Sequence, residues 1–129
     1  MTAPINLLPD RDREYLETKG LPYSLHLNNG EVHLTFPSFE MPGLYNITQA
    51  DLRVILPVGY DNACPDMFWT RPNVMLRTGG FQRAADNMQE LFDGTWQRWS
   101  RHFEGGWRPG VDGIKTYLAS VRRALEQVA

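Results

Sequence analysis

The chain has 129 residues, of which 42% are hydrophobic and 22% are charged, and its net charge is −2. This length and composition are typical of one soluble domain, so we expect a single domain over residues 1–129 with neither disorder nor a membrane span. The slightly acidic balance gives no general attraction to nucleic acid, and the first residues lack the pattern of a signal peptide. We therefore expect a cytoplasmic protein that binds neither nucleic acid nor membrane.

The first predicted element is a helix from Leu8 to Lys19, which starts near Pro9 and ends at Gly20. Its many charged residues predict a position on the surface. The segment that follows, PYSLHLNNGEVHLTF, alternates apolar and polar residues around Asn29-Gly30, which is a typical two-residue turn. This pattern predicts a β-hairpin.

The hairpin register follows from the position of the turn. It pairs Leu27 with Val32, Leu25 with Leu34, Tyr23 with Phe36 and, on the other side, His26 with His33. The two histidines would offer two imidazoles, but zinc needs three or four ligands and the sequence shows no third. We therefore interpret them as the outward face of the hairpin, and we expect no metal and no cofactor.

Two further strands are predicted, from Leu52 to Leu56 and over Met67-Phe68-Trp69, with a loop over 37–50 before the first. Strands this close in sequence form an antiparallel meander. The next segment, residues 73–94, has mixed signals and its structure stays open; only residues 83–92 are compatible with a helical turn or two.

A tryptophan-rich stretch, residues 95–113, holds three of the four tryptophans. Tryptophan and arginine at this density usually serve packing, so the stretch is either a structural clasp or a site. Asp112 then predicts the N-cap of a helix. One face of that helix is apolar and should cover the sheet; it carries Ile114, Tyr117, Leu118, Val121, Leu125 and Val128. The order of elements is that of an α+β fold.

This order resembles the ubiquitin-conjugating-enzyme (UBC-like) fold, which has an N-terminal helix, a four-stranded antiparallel meander, an irregular flap and a C-terminal helix. Residues 56–65 are similar to the proline-rich turn of that family. Arg71-Pro72-Asn73 is similar to its His-Pro-Asn element with arginine in place of histidine, and Trp107-Arg108-Pro109 to its Trp-x-Pro element. The flap of this chain would then be residues 73–107.

Four segments resemble the prokaryotic ubiquitin-conjugating-enzyme-like family E more closely. They are LPDRDREYLETKG, PDMFW, TWQRWSRH and WRPGVDGIKTYL. This bacterial family accompanies multi-ubiquitin-type proteins in operons. The resemblance implies two partners, a ubiquitin-like or multi-ubiquitin protein and a ubiquitin-activating-enzyme-like protein.

The chain departs from the family pattern at the catalytic position. A conjugating enzyme carries its cargo as a thioester on a flap cysteine, yet residues 73–107 contain no cysteine. The only cysteine, Cys64, is in the proline-rich turn, which in the UBC-like fold lies at the other end of the fourth strand from the flap. We interpret Cys64 as a small turn residue, which also agrees with a reducing compartment.

His102 is the best candidate for acid–base work, with Ser100 beside it, although it is equally well a packed histidine. The candidate partner-binding residues are Trp96, Arg98, Trp99, Arg101, Trp107 and Arg108. Two functions stay open. The first is a pseudoenzyme that binds the ubiquitin-like protein or its activating enzyme, which the missing flap cysteine favours. The second is an atypical conjugating enzyme with a flap nucleophile other than cysteine.

Overall fold

The computed structural model describes residues 7–103 and 105–127, and within them the protein is an α+β arrangement of helices around one sheet. In chain order the elements are α1 (Asp10–Lys19), β1 (Ser24–Asn28), β2 (Glu31–Glu40), β3 (Gln49–Leu56), β4 (Phe68–Arg71), β5 (Asn87–Leu91), β6 (Gly94–Trp99) and α2 (Ile114–Glu126). The strands form one antiparallel sheet in the order β1-β2-β3-β4-β6-β5. Neither described helix combines the length and the apolar character that a membrane span requires.

The sheet has six strands, whereas the sequence predicted four. The additional strands are β5 and β6, which form a hairpin in the segment that the sequence left open, and residues 83–92 contain no helical turn. β6 belongs to the tryptophan-rich stretch and pairs with β4, with Phe68 opposite Trp99 and Thr70 opposite Gln97. Part of the segment that was expected to be an irregular flap therefore extends the meander.

The predicted hairpin is confirmed, with Leu27 opposite Val32, Leu25 opposite Leu34 and His26 opposite His33. β2 and β3 are longer than predicted, and they shorten the expected loop over 37–50. Pro37 and Ser38 lie at a register shift between the pairs Phe36–Leu52 and Phe39–Ala50. A bulge accommodates proline because the ladder there does not need its missing N–H.

α2 covers one face of the sheet, and its predicted apolar residues are buried wherever the structure describes them. Val128 lies outside the described residues. The helix begins at Ile114 with Gly113 as its N-cap, so the predicted capping role of Asp112 is wrong. The Asp112 carboxylate instead accepts a hydrogen bond of 2.8 Å from the backbone N–H of Arg108 and closes the turn before the helix.

α1 is confirmed, with Gly20 as its left-handed C-cap at φ 67°, but it is not purely a surface helix. Asp12 is only 3% exposed. Its carboxylate accepts hydrogen bonds from the Tyr60 hydroxyl at 2.7 Å and from the backbone N–H of Ile114 at 3.0 Å. One buried carboxylate thus joins α1, the proline-rich turn and the first turn of α2, where it satisfies an N–H group that has no partner inside the helix.

The tip of the β5–β6 hairpin covers part of the second face of the sheet. The Phe92 ring stacks on His26 at 4.0 Å and meets His33 edge-on at 5.0 Å between ring centroids. The expectation that both histidines face outward is therefore wrong for His33, which is buried. Burial and the nearby Arg53 charge lower the pKa of His33 to about 4.

Arg53 anchors the same hairpin from β3. Its guanidinium donates two hydrogen bonds of 2.8 Å to the Asp93 carboxylate and lies 4.2 Å from the centre of the Trp96 ring. Arg71 lies 4.1 Å from that ring, and the Trp96 indole N–H donates to Asp93 at 3.0 Å. Charge-assisted hydrogen bonds and two cation–π contacts therefore hold the hairpin on the sheet.

Candidate functional site

The β5–β6 hairpin reverses the chain and returns the second half of the flap to the start of β4. Because β6 is antiparallel to β4, the residues after β6 lie beside the residues before β4. The backbone N–H of Met67 donates to the carbonyl of Arg101 at 3.0 Å. The expectation that Cys64 lies at the other end of β4 from the flap is therefore wrong for residues 100–103 and 105–107, which lie at the same end as Cys64.

Cys64 itself is half-buried, and its thiol donates to the backbone carbonyl of Pro65. Burial raises the pKa of the Cys64 thiol, and the carboxylates of Asp66 and Asp112 raise it further. A nucleophilic cysteine needs the opposite environment, since nearby positive charge is what stabilises a thiolate. The surroundings of Cys64 therefore favour its protonated thiol over the thiolate.

His102 lies on the surface, with 70% of its side chain exposed, so it is not a packed core histidine. Its Nδ1 faces a carboxylate oxygen of Asp66, within hydrogen-bonding distance. A carboxylate at Nδ1 favours the tautomer in which Nδ1 carries the proton and leaves Nε2 free to accept one. Asp66 was not a candidate in the sequence, because nothing in the local pattern joins two residues that are 36 positions apart.

A cavity of about 300 Å³ opens between residues 100–103 and the second half of α2. Its polar lining includes Arg83, Ser100, Arg101, His102, Ser120 and Arg123. Both predicted catalytic residues thus border one space, together with three arginines that come from separate parts of the chain. Ser100 is positioned there by its backbone N–H, which donates to the carbonyl of Ala84 at 2.9 Å.

Trp96 and Trp99, which were predicted to bind a partner, are 1% and 0% exposed. Trp99 stacks on Phe68 at 5.2 Å, and its indole N–H donates to the Thr70 hydroxyl at 2.9 Å. Trp96 lies under Arg53 in the cluster on the other face. Neither indole is available to a partner in this structure, and both belong to the core.

The other predicted binding residues are more accessible. Arg98 and Arg101 are half-buried, while the Arg108 side chain is 69% exposed. The half-buried Trp107 donates its indole N–H to the carbonyl of Asp61 at 2.7 Å, and its ring meets Phe103 edge-on at 5.1 Å. Trp107 therefore ties the flap to the proline-rich turn and leaves part of its ring at the surface.

A clasp between the flap and α2 does exist, but it runs through Phe103. The Phe103 ring stacks on Tyr117 of α2 at 6.1 Å and contacts Trp107 on its other side. The Tyr117 hydroxyl in turn donates to the carbonyl of Met67 at 2.6 Å. The candidate site is thus a surface made of residues 100–103, residues 105–108 and the neighbouring Asp66, and these contacts tie it to α2 and to the residues before β4.

Comparison with known proteins gives one informative result. Neither the curated proteins nor the solved structures yielded a significant match. The family model described as prokaryotic E2 family E matches residues 8–128, which include every element of the fold and the whole candidate site. Because the match covers nearly all of its length, the chain belongs to prokaryotic E2 family E.

Proposed function

We propose that this protein is a non-catalytic UBC-like module that binds a ubiquitin-like protein or its activating enzyme. Its family makes it a UBC-like component of a ubiquitin-like conjugation system, and such a component contacts a ubiquitin-like protein and an activating enzyme in general. The observation that carries the non-catalytic part of the proposal is the environment of Cys64.

Thioester transfer requires a thiolate that attacks the activated carbonyl carbon of the cargo. Cys64 is the one cysteine in the sequence, and its pKa is raised by burial and by Asp66 and Asp112. The flap, where the family places the nucleophile, contains no cysteine. Both facts argue against a thioester intermediate and leave binding as the simplest role.

The surface of residues 100–103 and 105–108 has the composition of a binding site. Arginine and tryptophan are the side chains that most often anchor protein interfaces, and Arg108 and Trp107 are both accessible here. The bonds from Trp107 to Asp61 and from Arg108 to Asp112 hold this segment in place before any partner arrives. A preorganised segment loses less conformational entropy on binding, which favours affinity.

The test is a binding assay with the ubiquitin-like protein and the activating enzyme of the same bacterium, with and without ATP. We expect non-covalent binding that Cys64→Ala leaves unchanged and Arg108→Gln weakens. The matched control is Arg122→Gln, which removes an exposed arginine of α2 that lies outside the candidate site. An ATP-dependent adduct that thiol reagents cleave and Cys64→Ala abolishes would overturn the proposal.

The second candidate function is an atypical conjugating enzyme, and the pair of His102 and Asp66 is the observation that favours it. In serine hydrolases a carboxylate orients a histidine that activates a serine hydroxyl, and here Ser100 lines the same cavity as His102. In this reaction Ser100 Oγ attacks the activated C-terminal carbonyl of the cargo, and its proton passes to Nε2 of His102. The new Oγ–C bond forms as the bond between that carbonyl and the activating enzyme's leaving group breaks.

This alternative predicts an adduct with different chemistry. An ester on Ser100 resists thiol reagents, is cleaved by alkali, and is lost in Ser100→Ala but retained in Cys64→Ala. Asp66→Asn should slow its formation because it removes the charge that stabilises the histidine cation. The absence of any ATP-dependent adduct, in the presence of measurable binding, would reject the alternative and leave the binding module.

A further inference from the structure

We propose that the cavity between residues 100–103 and α2 is a binding site for a phosphate-type oxyanion. Three arginines reach it from three places in the chain, Arg83 before β5, Arg101 after β6, and Arg123 on α2. Within residues 7–103 and 105–127, no aspartate or glutamate lines the cavity and none of these three guanidinium groups forms an ion pair. The cavity therefore concentrates positive charge that the described residues do not neutralise.

The surroundings of Arg101 are unfavourable for its charged side chain. Its Nε atom is buried and has no hydrogen-bond partner among the described residues. Burial lowers the pKa of Arg101, and the positive charge of Arg83 lowers it further. A buried donor without a partner and repulsion between like charges both cost free energy, and an oxyanion beside the guanidinium groups would relieve the repulsion.

The size and the donors of the cavity suit phosphate better than carboxylate. A volume of about 300 Å³ lies at the lower end of the range for small-molecule sites. The hydroxyls of Ser100 and Ser120 add donors to those of the arginines. A phosphate group offers more oxygen acceptors and more negative charge than a carboxylate, and the guanidinium fork matches its geometry.

This inference goes beyond the proposed function, because the site would exist whether or not the protein transfers a ubiquitin-like cargo. Free phosphate, a nucleotide and a phosphorylated side chain share the chemistry that the cavity recognises. The test therefore needs no partner protein, and its ligands are inorganic phosphate, AMP and acetate.

The measurement is an NMR titration of the ¹⁵N-labelled full chain at constant pH. The reference is a titration with sodium chloride to the same ionic strength. We expect phosphate to shift the Nε–H signal of Arg101 and the backbone signals of residues 100–103 in a saturable way. Acetate should bind at least about tenfold more weakly, since it forms fewer charge-assisted hydrogen bonds. If only AMP gives a saturable shift, and the shift is lost when the cavity arginines are substituted, the site is supported and its ligand is an organic phosphate.

Arg83→Gln and Arg123→Gln test the site at exposed positions where the fold does not depend on the side chain. Each should weaken binding about tenfold, the usual loss for one hydrogen bond to a charged group. Arg122→Gln is the matched control, because Arg122 neighbours Arg123 but lines other cavities. The proposal is rejected if neither phosphate nor AMP gives a saturable shift, if acetate binds as tightly as phosphate, or if Arg122→Gln weakens binding as much as Arg123→Gln.

Discussion

Asp93→Asn should destabilise the fold more than any other single change of a surface carboxylate. The substitution keeps the size of the side chain but removes the negative charge opposite Arg53. The Arg53 side chain is only 4% exposed, so its charge would stay buried without a counter-ion. Breaking a buried ion pair from one side costs about 3 kcal/mol or more, and we expect a loss of about 3 kcal/mol in the free energy of unfolding.

The change can be measured by urea unfolding followed through tryptophan fluorescence, since Trp96 hydrogen-bonds to Asp93 directly. For a domain of this size the expected loss corresponds to a decrease of about 10 °C in Tm. Asp86→Asn is the control, because Asp86 is exposed and its substitution should change stability by less than about 0.5 kcal/mol. A loss below about 1 kcal/mol for Asp93→Asn, within the usual range for surface ion pairs, would refute the reasoning.

The same variant gives a pH test. Hydrogen bonds from Arg53 hold the pKa of the Asp93 carboxyl well below its usual range, although burial opposes them. A carboxyl with a lower pKa in the folded state stabilises the fold fully above its unfolded pKa of about 3.9, and that contribution is lost as the pH falls towards the folded pKa. The stability difference between wild type and Asp93→Asn should therefore be constant from neutral pH down to about pH 5 and decrease below about pH 4. A difference that grows as the pH falls would contradict this assignment.

Three other variants test the contacts around the candidate site. Trp107→Ala should cost about 2 kcal/mol, less than a fully buried tryptophan because the indole is only half-buried, and an unchanged free energy of unfolding in urea would contradict this. Gly113→Ala should cost about 1 to 3 kcal/mol, because a Cβ there would lie 2.5 Å from the Asp12 carboxylate. The control is Gly43→Ala, whose Cβ would meet no atom within 4 Å, and it should leave the stability unchanged in the same assay. His102→Ala should change the Tm by no more than other surface substitutions do, while the affinity for the partner falls. A large decrease in Tm would instead show that His102 has a packing role.

Local patterns predicted the parts of the fold that depend on neighbouring residues. The Asn29-Gly30 turn set the register of β1 and β2, and the helical spacing from Ile114 onward gave the buried face of α2. Each of these signals is contained within one element or one turn. That is why they could be read without knowledge of the rest of the chain.

The sequence pattern did not predict the β5–β6 hairpin because residues on both of its faces contact other parts of the protein. On β6, Gln97 and Trp99 lie on one face, where both bond to the Thr70 hydroxyl, while Trp96 lies on the other face towards Arg53, so polar and apolar residues do not alternate. The Asp93-Gly94 pair was the available signal for a hairpin turn. The burial of His33 could not be predicted either, since it depends on Phe92 from a distant part of the chain.

The candidate site was found only in part for a similar reason. Sequence reasoning singled out Ser100 and His102 from their residue types, and the structure places both beside one cavity. It did not find Asp66, Arg83 or Arg123, because their proximity arises from the antiparallel pairing of β4 with β6 and from the position of α2. Residue chemistry alone does not show which distant side chains meet.

The most direct test of the non-catalytic role is reconstitution with purified ubiquitin-like protein, activating enzyme and ATP. Wild type and Cys64→Ala are compared for affinity by calorimetry and for covalent adducts by intact-protein mass spectrometry. The account predicts equal affinity and no adduct of the ubiquitin-like protein on either form, because Cys64 stays protonated and the flap offers no thiol. A thioester-linked adduct on wild type that is missing from Cys64→Ala would contradict it.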